Sequence, residues 1–321
     1  MERQRARVGD SEGEMTRTGK APDHLIVALD VPNFDQARAI VRELGAEVSF
    51  YKVGWHLFGK GLADFIHDDL VGTGKHVFLD FKTVDIGETM RGMISSVSRL
   101  GVEFVTVMGK AATIAAHQAR RDQDYPKILT VTLLTDHGEG EMQREYNTDK
   151  TVEEFVADRA VFAEKDGADG VIASALEVSA IRSAVPRSDF LIVTPGIRPL
   201  GVVADDQRRT ATPAEAIRAG ADYLVVGRPI IRPDNKRAAA ISILNEMQTA
   251  LDERTNSGSS ANSRRNRRSA YSASPAPPPG QPGSHSDLSG DPRATQPPAR
   301  SGSSKAPPRG GGARSRRAAS G

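Results

Sequence analysis

Short runs of β-branched and aliphatic residues recur along the chain, each followed by a longer stretch whose apolar positions return with helical spacing. The runs predict strands near Leu25–Leu29, Phe50–Gly54, His76–Phe81, Glu103–Val107, Ile128–Leu133, Gly170–Ala173, Phe190–Thr194 and Tyr223–Val226. The segments between them, such as Phe34–Leu44, Ile86–Leu100 and Val152–Lys165, have the length of helices and end at a glycine suited to stop one. An echo marks where helix hands over to strand: Gly45-Ala46-Glu47, Gly101-Val102-Glu103, Gly167-Ala168-Asp169 and Gly220-Ala221-Asp222. Apolar runs, in place of alternation, mean strands covered on both faces. Eight such units in about 230 residues predict a single-domain α/β fold, a (β/α)8 TIM barrel. The rival, an open doubly wound sheet binding a dinucleotide, needs a Gly-x-Gly-x-x-Gly turn after its first strand, where Asp30-Val31-Pro32-Asn33 stands.

Composition changes this picture at the ends. The 321 residues balance 43 Lys and Arg against 41 Asp and Glu, but residues 254–321 carry eleven Arg and one Lys against only Asp287 and Asp291. That tail is therefore +10, and residues 23–253 sum to −9. Half of the tail is Pro, Gly or Ser, and its large apolar side chains are Tyr271 and Leu288 alone. Such a segment cannot offset about 1–2 kcal/mol per residue of backbone ordering entropy. We expect a disordered polar head over 1–22, the barrel over 23–253 and a disordered tail over 254–321, with Met15 as an alternative start of translation. The absence of cysteine excludes disulfides and thiolate metal sites. No apolar run approaches the roughly 18–20 residues that cross a bilayer, so a soluble, cytoplasmic protein without a membrane partner is expected.

Candidate chemistry lies at predicted strand ends. Gly54-Trp55-His56-Leu57-Phe58-Gly59-Lys60-Gly61 imitates a phosphate-binding loop, but Gly61 stands where Ser or Thr would hold Mg²⁺ and the interior is bulky. A turn and helix start suits it better. Phe78-Leu79-Asp80-Phe81-Lys82-Thr83-Val84-Asp85 is more informative, because period-2 alternation points Asp80 and Lys82 to the same side. With Leu79 and Phe81 packed outward, both charges enter the barrel, beside Lys52 from the preceding strand and Asp30 from the first. Charges so near a core must be paired, and Asp30, Lys52, Asp80, Lys82 and Asp85 alternate in sign. A salt-bridge network merely filling the barrel mouth would use the same residues. Thr194-Pro195-Gly196-Ile197-Arg198-Pro199 and Gly227-Arg228-Pro229-Ile230 then fall on the loops after strands 7 and 8, where barrels of this kind bind phosphate. Ala204-Asp205-Asp206-Gln207-Arg208-Arg209 adds donors between them. The seven histidines show no metal-ligand spacing.

Together, Leu29-Asp30-Val31, Lys52-Val53-Gly54, Asp80-x-Lys82-x-x-Asp85-Ile86, Leu134-Thr135, the Thr194–Pro199 turn, Asp206-Gln207-Arg208-Arg209 and Val226-Gly227-Arg228-Pro229 resemble the orotidine 5′-phosphate decarboxylase family over roughly residues 23–250. The resemblance implies decarboxylation of orotidine 5′-monophosphate to UMP, the last step of de novo pyrimidine nucleotide synthesis, with neither cofactor nor metal. It implies Lys82 as the proton donor to C6, Asp80 beside the departing carboxylate, and Lys52 and Asp30 on the ribose and in the charge network. Thr135 would lie near the pyrimidine, and Arg198, Gln207, Gly227 and Arg228 on the phosphate. Asp85 and Thr89 would reach into the site of a second copy, making a homodimer.

The chain departs from the family at Gly87 and Glu88, which bear on the dimer contact, and at Asp136, which stands near the expected pyrimidine position. Mg²⁺-dependent relatives of the hexulose-phosphate synthase and ketogulonate-phosphate decarboxylase types share Asp-x-Lys-x-x-Asp. They resemble the chain there but carry an acidic metal ligand where Lys52 stands, so Lys52 favours the metal-free reaction. A separate reading of the tail rests on Arg264-Arg265-Asn266-Arg267-Arg268 and Arg314-Ser315-Arg316-Arg317, which could hold nucleic acid electrostatically. Its lack of interleaved aromatics counts against that role.

Overall fold

Eight parallel strands close into a barrel in chain order in a computed structural model. Backbone is described for residues 20–120, 125–200 and 209–271, and side chains in the last helix as far as residue 256. The strands are β1 (Leu25–Ala28), β2 (Phe50–Gly54), β3 (His76–Thr83), β4 (Phe104–Val107), β5 (Lys127–Val131), β6 (Gly170–Ile172), β7 (Leu191–Thr194) and β8 (Tyr223–Val226). The helices are α1 (Phe34–Leu44), the short α2 (Leu62–Asp64), α3 (Gly87–Ser98), α4 (Lys110–Arg120), α5 (Glu139–Tyr146), α6 (Val152–Lys165), α7 (Val178–Ala184), α8 (Pro213–Ala219), α9 (Arg228–Ile231) and α10 (Lys236–Tyr271). The false phosphate loop is a 3-10 turn, Trp55–Leu57, followed by the start of α2 after Gly61.

Alternation sorts each strand between two apolar layers. Ile26, Phe50, Phe78, Phe104, Leu129 and Tyr223 point inward and stack as an aromatic-rich plug, with ring centroids 5.0 Å apart for Phe50–Phe104 and 5.1 Å for Phe104–Tyr223. Their neighbours Val27, Tyr51, Leu79, Val105, Ile128 and Leu224 point outward and pack beneath the helices.

The four handover motifs are built alike. Their glycines hold positive φ, from 56° to 109°, which a residue with a side chain adopts only at a cost. Where the acid is Asp, it reaches back to the preceding strand. Asp169 Oδ2 accepts from Ile128 N at 2.7 Å and pairs with Arg120; Asp222 Oδ2 accepts from Ile192 N at 2.8 Å and pairs with Arg182. The carbonyl of Asp222 also accepts from His24 Nδ1 at 2.7 Å, tying β8 to the start of β1. Close by, Ala21 N donates to Gln248 Oε1 at 2.9 Å, so the segment before β1 touches α10.

The helix α10 continues past the boundary expected at residue 253, since Leu251-Asp252-Glu253-Arg254-Thr255 holds no helix breaker. Arg254 Nη1 donates to the carbonyls of Ile217 and Ala221 at 3.2 and 3.1 Å, so it belongs to the barrel. Chain contacts divide at Tyr271, and residues 272–321, with the second basic cluster, lie outside the described residues, as do 1–19. Truncation after Tyr271 should leave the melting temperature unchanged. Truncation after Glu253 removes the Arg254 bonds, worth about 1 kcal/mol at an exposed site, and should lower it by roughly 2–4 °C in a thermal melt.

Candidate active site

The C-terminal ends of β1, β2 and β3 bring four charged side chains into one alternating row. Lys52 Nζ lies 2.9 Å from Asp30 Oδ1 and 3.6 Å from Asp80 Oδ2, and Lys82 Nζ lies 2.9 Å from both oxygens of Asp80. The side chains of Lys52 and Asp80 are only 12% and 13% exposed, so each charge depends on the opposite charges around it. Burial by itself would raise the Asp80 carboxyl. The Lys52 and Lys82 ammonium groups, with hydrogen bonds from Lys82 and Thr106, outweigh burial and hold it below the usual carboxylate range. Asp80 is therefore an anion at neutral pH. Gly54 leaves room for this row, because a β-carbon there would meet the carbonyl of Asp80 at 3.2 Å and Lys52 Nζ at 3.4 Å.

The strand that carries Asp80 and Lys82 is irregular. Leu79 faces Val105 and Thr83 faces Val107, so four steps along β3 match two along β4 and residues 80–82 bulge from the ladder. Lys82 sits in the bulge at φ 49°, a left-handed backbone setting rare outside glycine. The bulge extends β3 to Thr83, beyond the expected end at Phe81.

A cavity of about 240 Å³ opens over this row, a volume on the scale of one small molecule. Its floor is apolar, from Phe78, Ile172 and Val225, and Leu134 and Thr135 lie along its wall. Gly196 and Arg198 after β7, and Gly227 and Arg228 after β8, also line it. Gly196 takes φ 81°, and a bridge between Ile197 and Ala211, with Arg198 N donating to Ala211 O at 2.8 Å, fixes the turn that presents Arg198. Gly227 directly precedes α9, whose first residue is Arg228.

Of the residues expected at a site, Asp30, Lys52, Asp80, Lys82, Thr135, Arg198, Gly227 and Arg228 thus line one cavity. Asp85 and Thr89 do not. Both are exposed, Asp85 Oδ1 accepting from Ile86 N at 2.7 Å just before α3. Gln207 falls outside the described residues. Arg209, read as a donor on the long loop, is instead turned inward. Its Nη1 donates to Glu177 Oε1 at 2.9 Å and its Nη2 to the Leu134 carbonyl at 2.8 Å, bracing the segment that carries Thr135. Asp136 is drawn off to His137, whose two ring nitrogens lie 2.9 Å from Asp136 and 2.6 Å from Glu145. The Asp136 bond chiefly, with help from Glu145, raises the imidazole above its ordinary value. Glu88 is likewise engaged on its own helix by Arg91.

The pattern that defines the orotidine 5′-phosphate decarboxylase / HUMPS family matches residues 23–243. An orotidine 5′-phosphate decarboxylase from Nitrobacter winogradskyi is 46% identical over 231 residues, covering 72% of this chain and 95% of the relative. Its counterpart from Ruegeria pomeroyi is 43% identical over 228 residues, covering 71% and 95%. Among solved structures, orotidine 5′-phosphate decarboxylase from Lactobacillus acidophilus superposes with a TM-score of 0.60 at 35% identity, covering 70% of this chain and 98% of the other.

Proposed function

The chain belongs to the orotidine 5′-phosphate decarboxylase family, and from that premise we propose how its barrel mouth converts orotidine 5′-monophosphate to UMP and CO2. The observation that carries the reading is the Asp30–Lys52–Asp80–Lys82 row, with an ammonium group on either side of the buried carboxylate.

When the bond from C6 to the carboxylate breaks, its electron pair stays on C6. No carbonyl lies β to the departing carboxylate, so ordinary enolate delocalisation cannot absorb that pair. Lys82 answers the problem electrostatically: its fixed ammonium stabilises the developing carbanion, then donates the proton that completes UMP and is reprotonated from solvent. Asp80, kept ionised, orients that ammonium and stands beside the substrate carboxylate. Lys52 and Asp30 hold ribose hydroxyls, Thr135 borders the pyrimidine, and Arg198, Gly227 and Arg228, with Gln207, take the phosphate. Arginine suits that last task because its planar donors match phosphate oxygens in pairs.

The chemistry needs no metal in this reading, since Lys52 fills the position of an acidic ligand in the Mg²⁺-dependent relatives. The protein in excess EDTA should consume orotidine 5′-monophosphate, followed by loss of its ultraviolet absorbance. Turnover of a sugar phosphate only on addition of Mg²⁺ would select those relatives instead.

Asp85 and Thr89 are assigned to the site of a second copy. Exposed apolar side chains support an interface beside them: Val84 and Ile86 flank Asp85, and Trp55 packs on Phe58 and on Phe81 of β3. We place residues 1–22 and the basic tail outside the catalytic unit, as the family match spans residues 23–243. A cytoplasmic location fits, and no helix among the described residues is long and apolar enough to cross a membrane.

A further inference from the structure

Thr106 lies on β4, buried to 1% exposure in the apolar run Phe104-Val105-Thr106-Val107. Nothing in the reaction calls for a hydroxyl there, and it is too deep to serve as a surface polar group. Its position opposite the β3 bulge explains it. The bulge takes the Lys82 backbone N–H off the β3–β4 ladder, and a buried amide left unpaired is costly. Thr106 Oγ1 accepts that N–H at 2.8 Å and lies 3.0 Å from Asp80 Oδ1.

The proton directions are fixed by chemistry. An amide can only donate, and an ionised carboxylate can only accept, so the single hydroxyl proton points to Asp80. The result is a closed circuit: the Lys82 backbone N–H donates to Thr106, the Thr106 hydroxyl to Asp80, and the Lys82 ammonium to both Asp80 oxygens at 2.9 Å. One small side chain therefore holds both ends of the catalytic pair, supporting the left-handed backbone that launches Lys82 and fixing the rotation of the carboxylate that aims it.

We propose that Thr106 is a positioning residue for the decarboxylation, locking Asp80 and Lys82 in register through its hydroxyl while touching neither substrate nor product. The proposal rests on the reaction assigned above. A circuit of this kind acts on the geometry of the reacting pair, where a displacement of about 1 Å costs on the order of 10²-fold in rate. It does not touch Arg198 or Arg228, the residues assigned to the phosphate.

The test compares the full chain with Thr106→Val, which keeps the shape and loses the hydroxyl, and Thr106→Ser, which keeps the hydroxyl and loses the methyl. Wild-type turnover of orotidine 5′-monophosphate in EDTA is measured first, so that failure of the assigned reaction is seen separately. Thr106→Val should lower kcat about 10²-fold, with KM and the affinity for UMP by calorimetry changed less than about threefold. Thr106→Ser should recover kcat to within about fivefold of wild type. A valine variant with near wild-type kcat overturns the proposal, and so does a serine variant as impaired as the valine one, because packing would then be the cause. If Thr106→Val fails to fold, Thr106→Ala serves in the same comparison with serine.

Discussion

Lys82→Ala is expected to abolish turnover, a loss of about 10⁴-fold or more, because in the proposed reaction one ammonium both stabilises the carbanion and delivers its proton. Lys82→Arg should be nearly as inactive despite keeping the charge, since a guanidinium does not give up its proton and its planar head does not fit the ammonium position between the Asp80 oxygens. The pair of variants separates proton delivery from charge alone. Residual kcat within tenfold of wild type in the alanine variant would remove Lys82 from the chemistry. Stability should also report the change. In the wild type, a depressed Asp80 carboxyl contributes stability above the ordinary carboxylate range, and this is lost as pH falls through the depressed value. Without Lys82, burial pulls the Asp80 carboxyl upward. The melting temperature of Lys82→Ala should therefore trail wild type most near neutral pH, and the gap should narrow in acid.

Arg228→Ala should lower kcat/KM for orotidine 5′-monophosphate about 10²-fold or more, as expected for losing one partner of a desolvated charge pair worth roughly 3 kcal/mol. The sharper prediction uses the nucleoside lacking its phosphate. Wild type and Arg228→Ala should turn it over equally slowly, because the arginine has nothing left to hold. If the variant is impaired to the same degree on both substrates, Arg228 supports the fold of the barrel mouth and not the phosphate. This separation matters because binding at a remote phosphate raises the rate only when its energy is expressed at the reacting carbon.

Much of the barrel is legible in the order of residues alone. Strand positions follow because parallel strands covered on both faces leave uninterrupted apolar runs, and α1 and α6 follow because Gly45 and the Asp166-Gly167 turn stop them cleanly. The charged row is legible through alternation, which puts Asp80 and Lys82 on the inner face with Phe78. The bulge is not legible: a one-for-one ladder would also place both residues inward, and only the pairing to β4 reveals residues 80–82 standing off it. Thr106 escapes for the same reason, since a threonine in an apolar strand reads as β-branched filler until its hydroxyl partners are known. Arg209 misleads in the opposite sense. An arginine next to Gln207 and Arg208 suggests phosphate, but the buried Glu177 that captures it comes from a turn 32 residues away in sequence. Asp85 and Thr89 rest on resemblance alone: the family assigns them to the site of a second copy, and this chain leaves both outside its own cavity.

The hydrogen bond from Ala21 to Gln248 has a bearing on how the molecule could be rewired. It sets the first and last elements of the barrel side by side at the seam where His24 meets Asp222. With α10 cut back to the part that packs on the barrel, a short linker could join them, and the chain could be opened at another helix-to-strand junction on the same rim. The order in which the eight units are synthesised is in that sense a convention of the gene. The circle of strands has no beginning of its own, and the chemistry at its other rim depends on the ring being closed and not on which unit comes first.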